Sequence, residues 1–380
     1  MYSVHSYGRM LADTPRMEAY SAALQRSVRP GSVVLDLGCG PGVFALLACK
    51  LGARRVYAVE PDDVIQLARE AARANHFEDR IGFLQNVSTE IMLPEPADVI
   101  ISDLRGCLPW YQQHIPSIVD ARTRLLAEGG ILIPAKDVLW AAIVEAPDRY
   151  REIVGPWQSN GLDLSAGRRV ITNTWRKTHI EPGELLVQSE RWATLDYYEI
   201  QSPGIRAQIE WQFARSGTAH GLAVWFDSEL IDEIGFSNHP GGPELIYGTG
   251  LFPFSKPVEV VEGDRIQVTL SADFIRDDYV WRWDSEFFNG DDPGTPKASF
   301  KQSTFFGVPL SPQQMQKQAA SYKPALDQRG QARSFILQMM TGENSLAEIA
   351  ARLAERFPQR YADLQDALNE VTAVSREFGQ

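Results

Sequence analysis

The stretch from Val33 to Ala48 constrains this chain more than any other. Val33-Val34-Leu35-Asp36-Leu37 is a short, nearly continuous apolar run, the pattern of a strand buried on both faces. Gly38-Cys39-Gly40-Pro41-Gly42 follows, then Val43-Phe44-Ala45-Leu46-Leu47-Ala48, which has helical composition. Glycine lets the backbone turn sharply and lets a ligand lie against it. The helix start beyond it presents free N–H groups and a positive dipole end. Strand, glycine turn and helix in that order make a nucleotide-type cofactor site.

The same alternation continues. Arg55–Glu60, Ile81–Leu84, Ala97–Asp103 and Gly130–Pro134 read as strands, with helices over Asp63–Asn75 and Ser117–Leu126 between them. A further helix, Leu11 to Leu24, precedes the first strand. This is the pattern of a doubly wound parallel sheet, which binds ligands at the carboxyl ends of its strands. Gly38 to Gly42, Glu60, Glu90 and Asp103 all fall at such ends. A dinucleotide fingerprint needs a third glycine at position 43, where this chain has Val43. Carboxylates at successive strand ends suit ribose hydroxyls, an adenine amine and an ammonium, and oppose a pyrophosphate. S-adenosylmethionine fits that description.

Length and charge bound the rest. At 380 residues more than one core is expected, and a net charge of −12 argues against a general nucleic-acid binder. Three cysteines, Cys39, Cys49 and Cys107, offer neither a disulfide framework nor a zinc spacing, so no metal is expected. The N-terminal residues do not read as a signal peptide, and no run reads as a membrane span. The expectation is a cytoplasmic protein.

At these residues the sequence resembles the protein arginine methyltransferase family, from about Tyr7 to Phe287. Met10-Leu11-Ala12-Asp13-Thr14-Pro15-Arg16 is similar to the family's N-terminal helix, and Leu35 to Gly42 to its cofactor loop, which includes Asp36, Gly38 and Gly40. The resemblance implies S-adenosylmethionine as cofactor, with Arg16 on its carboxylate, Glu60 on the ribose hydroxyls, and Thr89 and Glu90 beside adenine. Ile100-Ile101-Ser102-Asp103 leads into the family's catalytic hairpin, which carries two glutamates that hold the substrate guanidinium. Here Asp103 stands at the first and Gln112 at the second. One acceptor is a methylene shorter and the other is uncharged, although a guanidinium fork is best met by charged, bidentate acceptors. Asp103 is the expected group to orient the acceptor or take its proton, Gln112 to hydrogen-bond it, and Tyr7 or Tyr111 to line the pocket. Arg105, inside the hairpin, either opposes a cation, faces solvent or pairs with Asp103. His114, just beyond, reads as a surface histidine, with a base as the alternative.

From Asp137 the pattern changes to short alternating strands such as Ile205–Phe213, Leu222–Phe226, Ile266–Leu270 and Tyr279–Trp283. His220 to Asp227 resembles a strand of the family's β-barrel. The family's Thr-His-Trp loop falls on Leu245-Ile246-Tyr247, so Ile246 replaces its histidine. A stretch at about 150–181 resembles the arm through which family members form head-to-tail dimers, which implies a homodimer. Residues Phe288 to Gly307 read as a linker. The helical tail resembles the small peptide-recognition domains of the pyrroloquinoline-quinone biosynthesis type through Gly342 to Ala350, with a generic helical cap as the alternative.

The expected architecture is an α/β Rossmann-like methyltransferase domain over residues 1–136, an antiparallel β-barrel domain over 137–290 and a small C-terminal helical domain over 308–380. The expected function is methyl transfer to a nitrogen of a protein or peptide side chain. Two other readings stay open: a small-molecule or non-guanidine nitrogen acceptor, and a catalytically silent cofactor-binding regulator.

Overall fold

The computed structural model describes residues 3–158, 160–290 and 294–379. Two helices lead in, α1 (Val4–Ala12) and α2 (Thr14–Ser27). They are separate where one helix from Leu11 was expected. Asp13 caps the second, accepting the Arg16 amide at 3.3 Å, with Pro15 in its first turn. Then β1 (Val33–Leu37), α3 (Val43–Lys50), β2 (Arg55–Val59), α4 (Ile65–Ala74), β3 (Ile81–Leu84), β4 (Ala97–Ser102), α5 (His114–Arg124) and β5 (Leu126–Ile133) follow in turn. The five strands form one parallel sheet in the order β3-β2-β1-β4-β5. The order reverses between β1 and β4, and a crevice at the carboxyl ends is expected there. All five residues of β1 are buried, as its unbroken apolar run requires.

The second layer is antiparallel. It runs from β6 (Lys136–Val144) through α6 (Pro147–Val154), α7 (Ser165–Ile171), β7 (Arg176–Thr178), β8 (Glu190–Asp196), β9 (Ile205–Gln212), β10 (Gly217–Ile231), β11 (Ile234–Ser237), β12 (Thr249–Val260), β13 (Arg265–Ile275) and β14 (Asp278–Phe288) to β15 (Pro296–Phe300). One sheet has the order β7-β12-β10-β6-β8, with β11 on β10, and the other β15-β14-β13-β9. Three of the four expected strands recur within longer ones, and β9 ends one residue short of the expected Phe213. The stretch expected as a linker instead carries β15, paired to β14, with Phe300 and Gln302 buried; residues 291–293 of it lie outside the described residues. Its Gly, Pro and Lys content hid the one buried apolar anchor of β15, Phe300.

Trp110, from the segment between β4 and α5, joins the two layers. It is 2% exposed, with its ring 5.0 Å from Trp192 and edge-on to Trp281 at 6.0 Å. Aromatic pairs of this kind add about 0.5–1.5 kcal/mol each beyond area burial. That packing fixes the hairpin on the barrel. Residues 310–380 form a separate unit, with α8 (Pro312–Gln318), α9 (Gln328–Met339), α10 (Leu346–Arg356) and α11 (Leu364–Phe378). Ile336, Ile349, Leu353 and Val371 are its core, and α10 starts on a capping box of Ser345 and Glu348.

Candidate active site

A cavity of about 570 Å³ opens at the sheet's switch point, between α1, the glycine turn, the hairpin after β4 and the loop before β12. Its two ends differ in chemistry.

At one end Gly38 and Gly40 hold positive φ, +74° and +51°. Side chains pack directly on both. A Cβ on Gly40 would stand 2.7 Å from the Tyr7 ring, and one on Gly38 would collide with Leu104. Glu60 is 7% exposed and accepts the Gly40 amide and the Asp62 amide, each at 3.0 Å. Burial raises its carboxyl above the usual range despite those two donors. Asp36 lies behind the turn. One oxygen accepts the Ala45 amide at 2.9 Å in the first turn of α3. The other, Oδ1, is buried with no hydrogen-bond partner, and burial pushes the carboxyl up to about 7. A buried carboxylate oxygen without a donor is costly, and an ammonium would satisfy it. These residues fit S-adenosylmethionine: Glu60 for a ribose diol, Asp36 for the ammonium, and the glycine turn for close approach of the backbone. When bound, that cofactor supplies a methyl group already activated on a sulfonium.

At the other end the charges are committed to one another. Arg16, 5% exposed on α2, donates to Asp103 Oδ2 from Nε at 2.8 Å and Nη2 at 2.5 Å, and from Nη1 to the Met10 carbonyl. The Tyr247 hydroxyl donates to the same oxygen at 2.6 Å. Asp103 Oδ1 faces Arg105 Nε at 3.4 Å, an ion-pair distance without hydrogen-bond geometry, and no donor reaches it. Burial alone would raise the Asp103 carboxyl. The Arg16 and Arg105 guanidiniums and the Tyr247 hydroxyl outweigh burial and hold it below the usual carboxylate range.

Arg105 is buried and points inward. Its Nη1 donates to Asp137 Oδ1 and to the Ser228 hydroxyl, both at 2.7 Å, and its Nη2 to the Tyr20 hydroxyl at 3.2 Å. The Tyr197 hydroxyl donates to Asp137 Oδ2 at 2.6 Å and contacts His114 Nε2 at 3.0 Å. His114 is therefore no surface histidine. It is 1% exposed at the start of α5, and burial, then Arg105, pushes its pKa down to about 3. It is neutral near pH 7 and sits behind the hairpin rather than in the cavity.

Arg16, Gly38, Gly40, Glu60, Asp103 and Gln112 line this one cavity, as do Tyr7 and Tyr111. Gln112 is exposed at the rim, with positive φ (+42°) and its amide on Asp278 Oδ1 at 3.3 Å. Thr89 and Glu90 lie in an exposed 3-10 turn that does not line the cavity, and Asp36 lies beneath its wall. Three side chains that line or brace the cavity escaped the sequence reading. Asp137 shares the inward phase of β6 with Leu139 and Ala141, and a carboxylate in that phase was a readable signal. Tyr247 stacks on Phe236, centroids 5.5 Å apart and planes 3° apart, which aims its hydroxyl at Asp103. Lys177 on β7 had no local signal, because only strand pairing brings it to the rim. Asp13 accepts the Ile246 amide at 2.7 Å, so the backbone of that loop reaches α2 where the side chain carries no donor.

The family model for ribosomal protein L11 methyltransferase matches residues 20–139, and that for the arginine methyltransferase oligomerization subdomain matches residues 135–285. Protein arginine N-methyltransferase 6 of Xenopus tropicalis is 32% identical over 293 residues, covering 72% of this chain and 85% of that protein. A probable protein arginine N-methyltransferase 6 of Arabidopsis thaliana is 30% identical over 247 residues, and the chain spans 56% of its length. Among solved structures, the Trypanosoma brucei PRMT1 enzyme–prozyme heterotetramer with AdoHcy matches with a TM-score of 0.71 at 22% identity, covering 80% of this chain and 98% of that one. Arabidopsis thaliana protein arginine methyltransferase 10 matches with 0.69 at 22%, covering 79% and 97%. Cofactor cleft, hairpin and antiparallel layer thus agree with the sequence likeness, and this chain belongs to the protein arginine methyltransferase family of S-adenosylmethionine-dependent enzymes.

Proposed function

We propose that the acceptor is a side-chain nitrogen of a protein or peptide that is uncharged at transfer, and not a guanidinium. One observation carries this reading: the only carboxylate the hairpin presents to the cavity, Asp103, is already neutralised by Arg16 and Arg105, and Gln112 brings no charge. At that end of the cavity an arriving guanidinium would meet two guanidiniums and no free counter-charge. Asp103 Oδ1, buried and facing Arg105 Nε at 3.4 Å, accepts no hydrogen bond within the fold, so it is the one carboxylate atom left to take an N–H from the acceptor. A histidine imidazole offers one N–H and one lone pair, and is largely neutral near pH 7.

Asp103 then orients the acceptor through Oδ1, so that its lone pair faces the activated methyl. Such alignment supplies a large part of the rate. Its depressed pKa makes it a positioning group and a poor base. Tyr247 and Arg16 hold the carboxylate still, and Leu104 and Tyr7 close the glycine turn against water. As the nitrogen–carbon bond forms and the sulfur–carbon bond breaks, the ring that gains the methyl holds one proton too many, on the nitrogen that faces Asp103 Oδ1, and loses it to solvent, with the spent cofactor left as a neutral thioether.

The test is labelled methyl transfer to matched peptides with a central histidine or arginine. Label on the histidine peptide, with the arginine peptide silent until Gln112→Glu restores a charge at the rim, is the expected result. Equal labelling of the arginine peptide by the unaltered protein overturns the reading.

A homodimer through the arm is part of the same reading. The match to an oligomerization subdomain supports it, as does apolar surface on the arm at Trp157 and Leu162. Three free cysteines support a reducing compartment such as the cytoplasm.

A further inference from the structure

We infer that Lys177 sets substrate specificity, selecting a peptide in which acidic residues flank the methylated nitrogen. The inference rests on the acceptor reading above and extends it to the sequence around the acceptor.

Lys177 sits on β7, paired to Gly250 of β12, and its side chain lines the cavity rim with Arg9, Cys107 and Ile246. Its stem lies over Gly248, where a Cβ would come within 3.0 Å of the lysine Cγ. Its ammonium donates to the Ile246 carbonyl. The side chain is thus held at both ends, and an ammonium has three donors, so two remain for a ligand. Burial disfavours the charge, Cys107 favours it and Arg9 opposes it, with Glu244 and Asp13 nearby as the compensating acids. The net direction is downward, the state of a cation short of counter-charge. Cys107 supplies little of it, because burial pushes its thiol up to about 12.

The rim therefore presents Lys177 and Arg9 as cations and Gln112 as a neutral donor, beside an acceptor end whose carboxylates, Asp103 and Asp137, are already paired, while Glu60 and Asp62 line the cofactor end. A cationic segment entering there meets like charge, which favours rejection. A segment with aspartate or glutamate beside the acceptor brings the missing counter-charge to a pre-positioned ammonium.

The experiment measures binding of fluorescent peptides to the full-length protein saturated with AdoHcy. The peptides share a central histidine and carry aspartate, asparagine or arginine on both sides. The aspartate peptide should bind roughly tenfold more tightly than the arginine peptide, with asparagine between. Lys177→Glu should reverse that ranking, Lys177→Arg should keep it, and ~1 M salt should flatten it. An unchanged ranking in Lys177→Glu, or a preference of the unaltered protein for arginine flanks, overturns the inference. Methylation of arginine-centred peptides would instead sink the acceptor reading, while the flank ranking, read by binding alone, would stand or fall by itself.

Discussion

The two ends of the cavity use carboxylates in opposite ways. At the cofactor end neither Glu60 nor Asp36 forms an ion pair among the described residues, and burial raises both carboxyls. They are electrostatically unfinished until a cationic, hydroxyl-bearing ligand arrives. At the acceptor end Asp103 and Asp137 are matched by Arg16 and Arg105 within the fold. The first arrangement recruits charge and the second declines it. A guanidinium-binding hairpin would need the first arrangement at both ends.

The largest effect expected from breaking this contrast is on stability. Arg105→Leu leaves Asp137 buried with only hydroxyl donors, and a buried ion stripped of its partner costs about 3–5 kcal/mol. Removing both, as Arg105→Leu with Asp137→Leu, should recover most of that loss in urea denaturation. A single mutant within about 1 kcal/mol of the parent would mean the buried pair does not hold the hairpin to the barrel.

Asp103→Asn comes next. The amide keeps the shape but replaces one acceptor oxygen with a donor and frees Arg16 from its ion pair. Turnover on the best peptide should fall by roughly a hundredfold, the scale of losing one preorganised group that acts at the transition state. AdoHcy affinity, measured by calorimetry, should hold or improve, because Arg16 loses a competitor. A loss of affinity matching the loss of turnover would assign Asp103 to the cofactor end and dissolve the contrast.

What could be read from residues alone divides along the same line. The cofactor end is local: β1, its glycine turn and α3 lie within Val33 to Lys50, and a period, a turn and an acid at a strand end expose them. The acceptor end is assembled from distant chain. Asp103 meets Arg16 from 87 positions away and Tyr247 from 144, and Arg105 meets Ser228 from 123. No short-range pattern reports such pairings, so Arg105 stayed ambiguous and His114 read as a surface residue. Asp103 and Gln112 were legible as departures. Their meaning depended on which cations reached them, and that is a matter of packing.

The smallest effect is the sharpest probe of the cofactor end. With its carboxyl pushed up to about 7, Asp36 is protonated in the ligand-free protein below that pH and must lose its proton to meet an ammonium. AdoHcy affinity should therefore be full above pH 7 and fall as the pH drops through 7, by at most about tenfold per unit. Ligand-free stability should run the other way. The folded state holds this proton and the unfolded state does not between about pH 4 and 7, so stability declines as the pH rises across that window. Asp36→Asn keeps an oxygen for the Ala45 amide but cannot ionise, so it should lower affinity and flatten the profile. Glu60, also raised by burial, is the other group able to bend that curve, and Glu60→Gln separates the two. If the slope vanishes in Glu60→Gln and survives in Asp36→Asn, the ammonium does not sit on Asp36, and its orphaned oxygen is a feature of β1 rather than of the site.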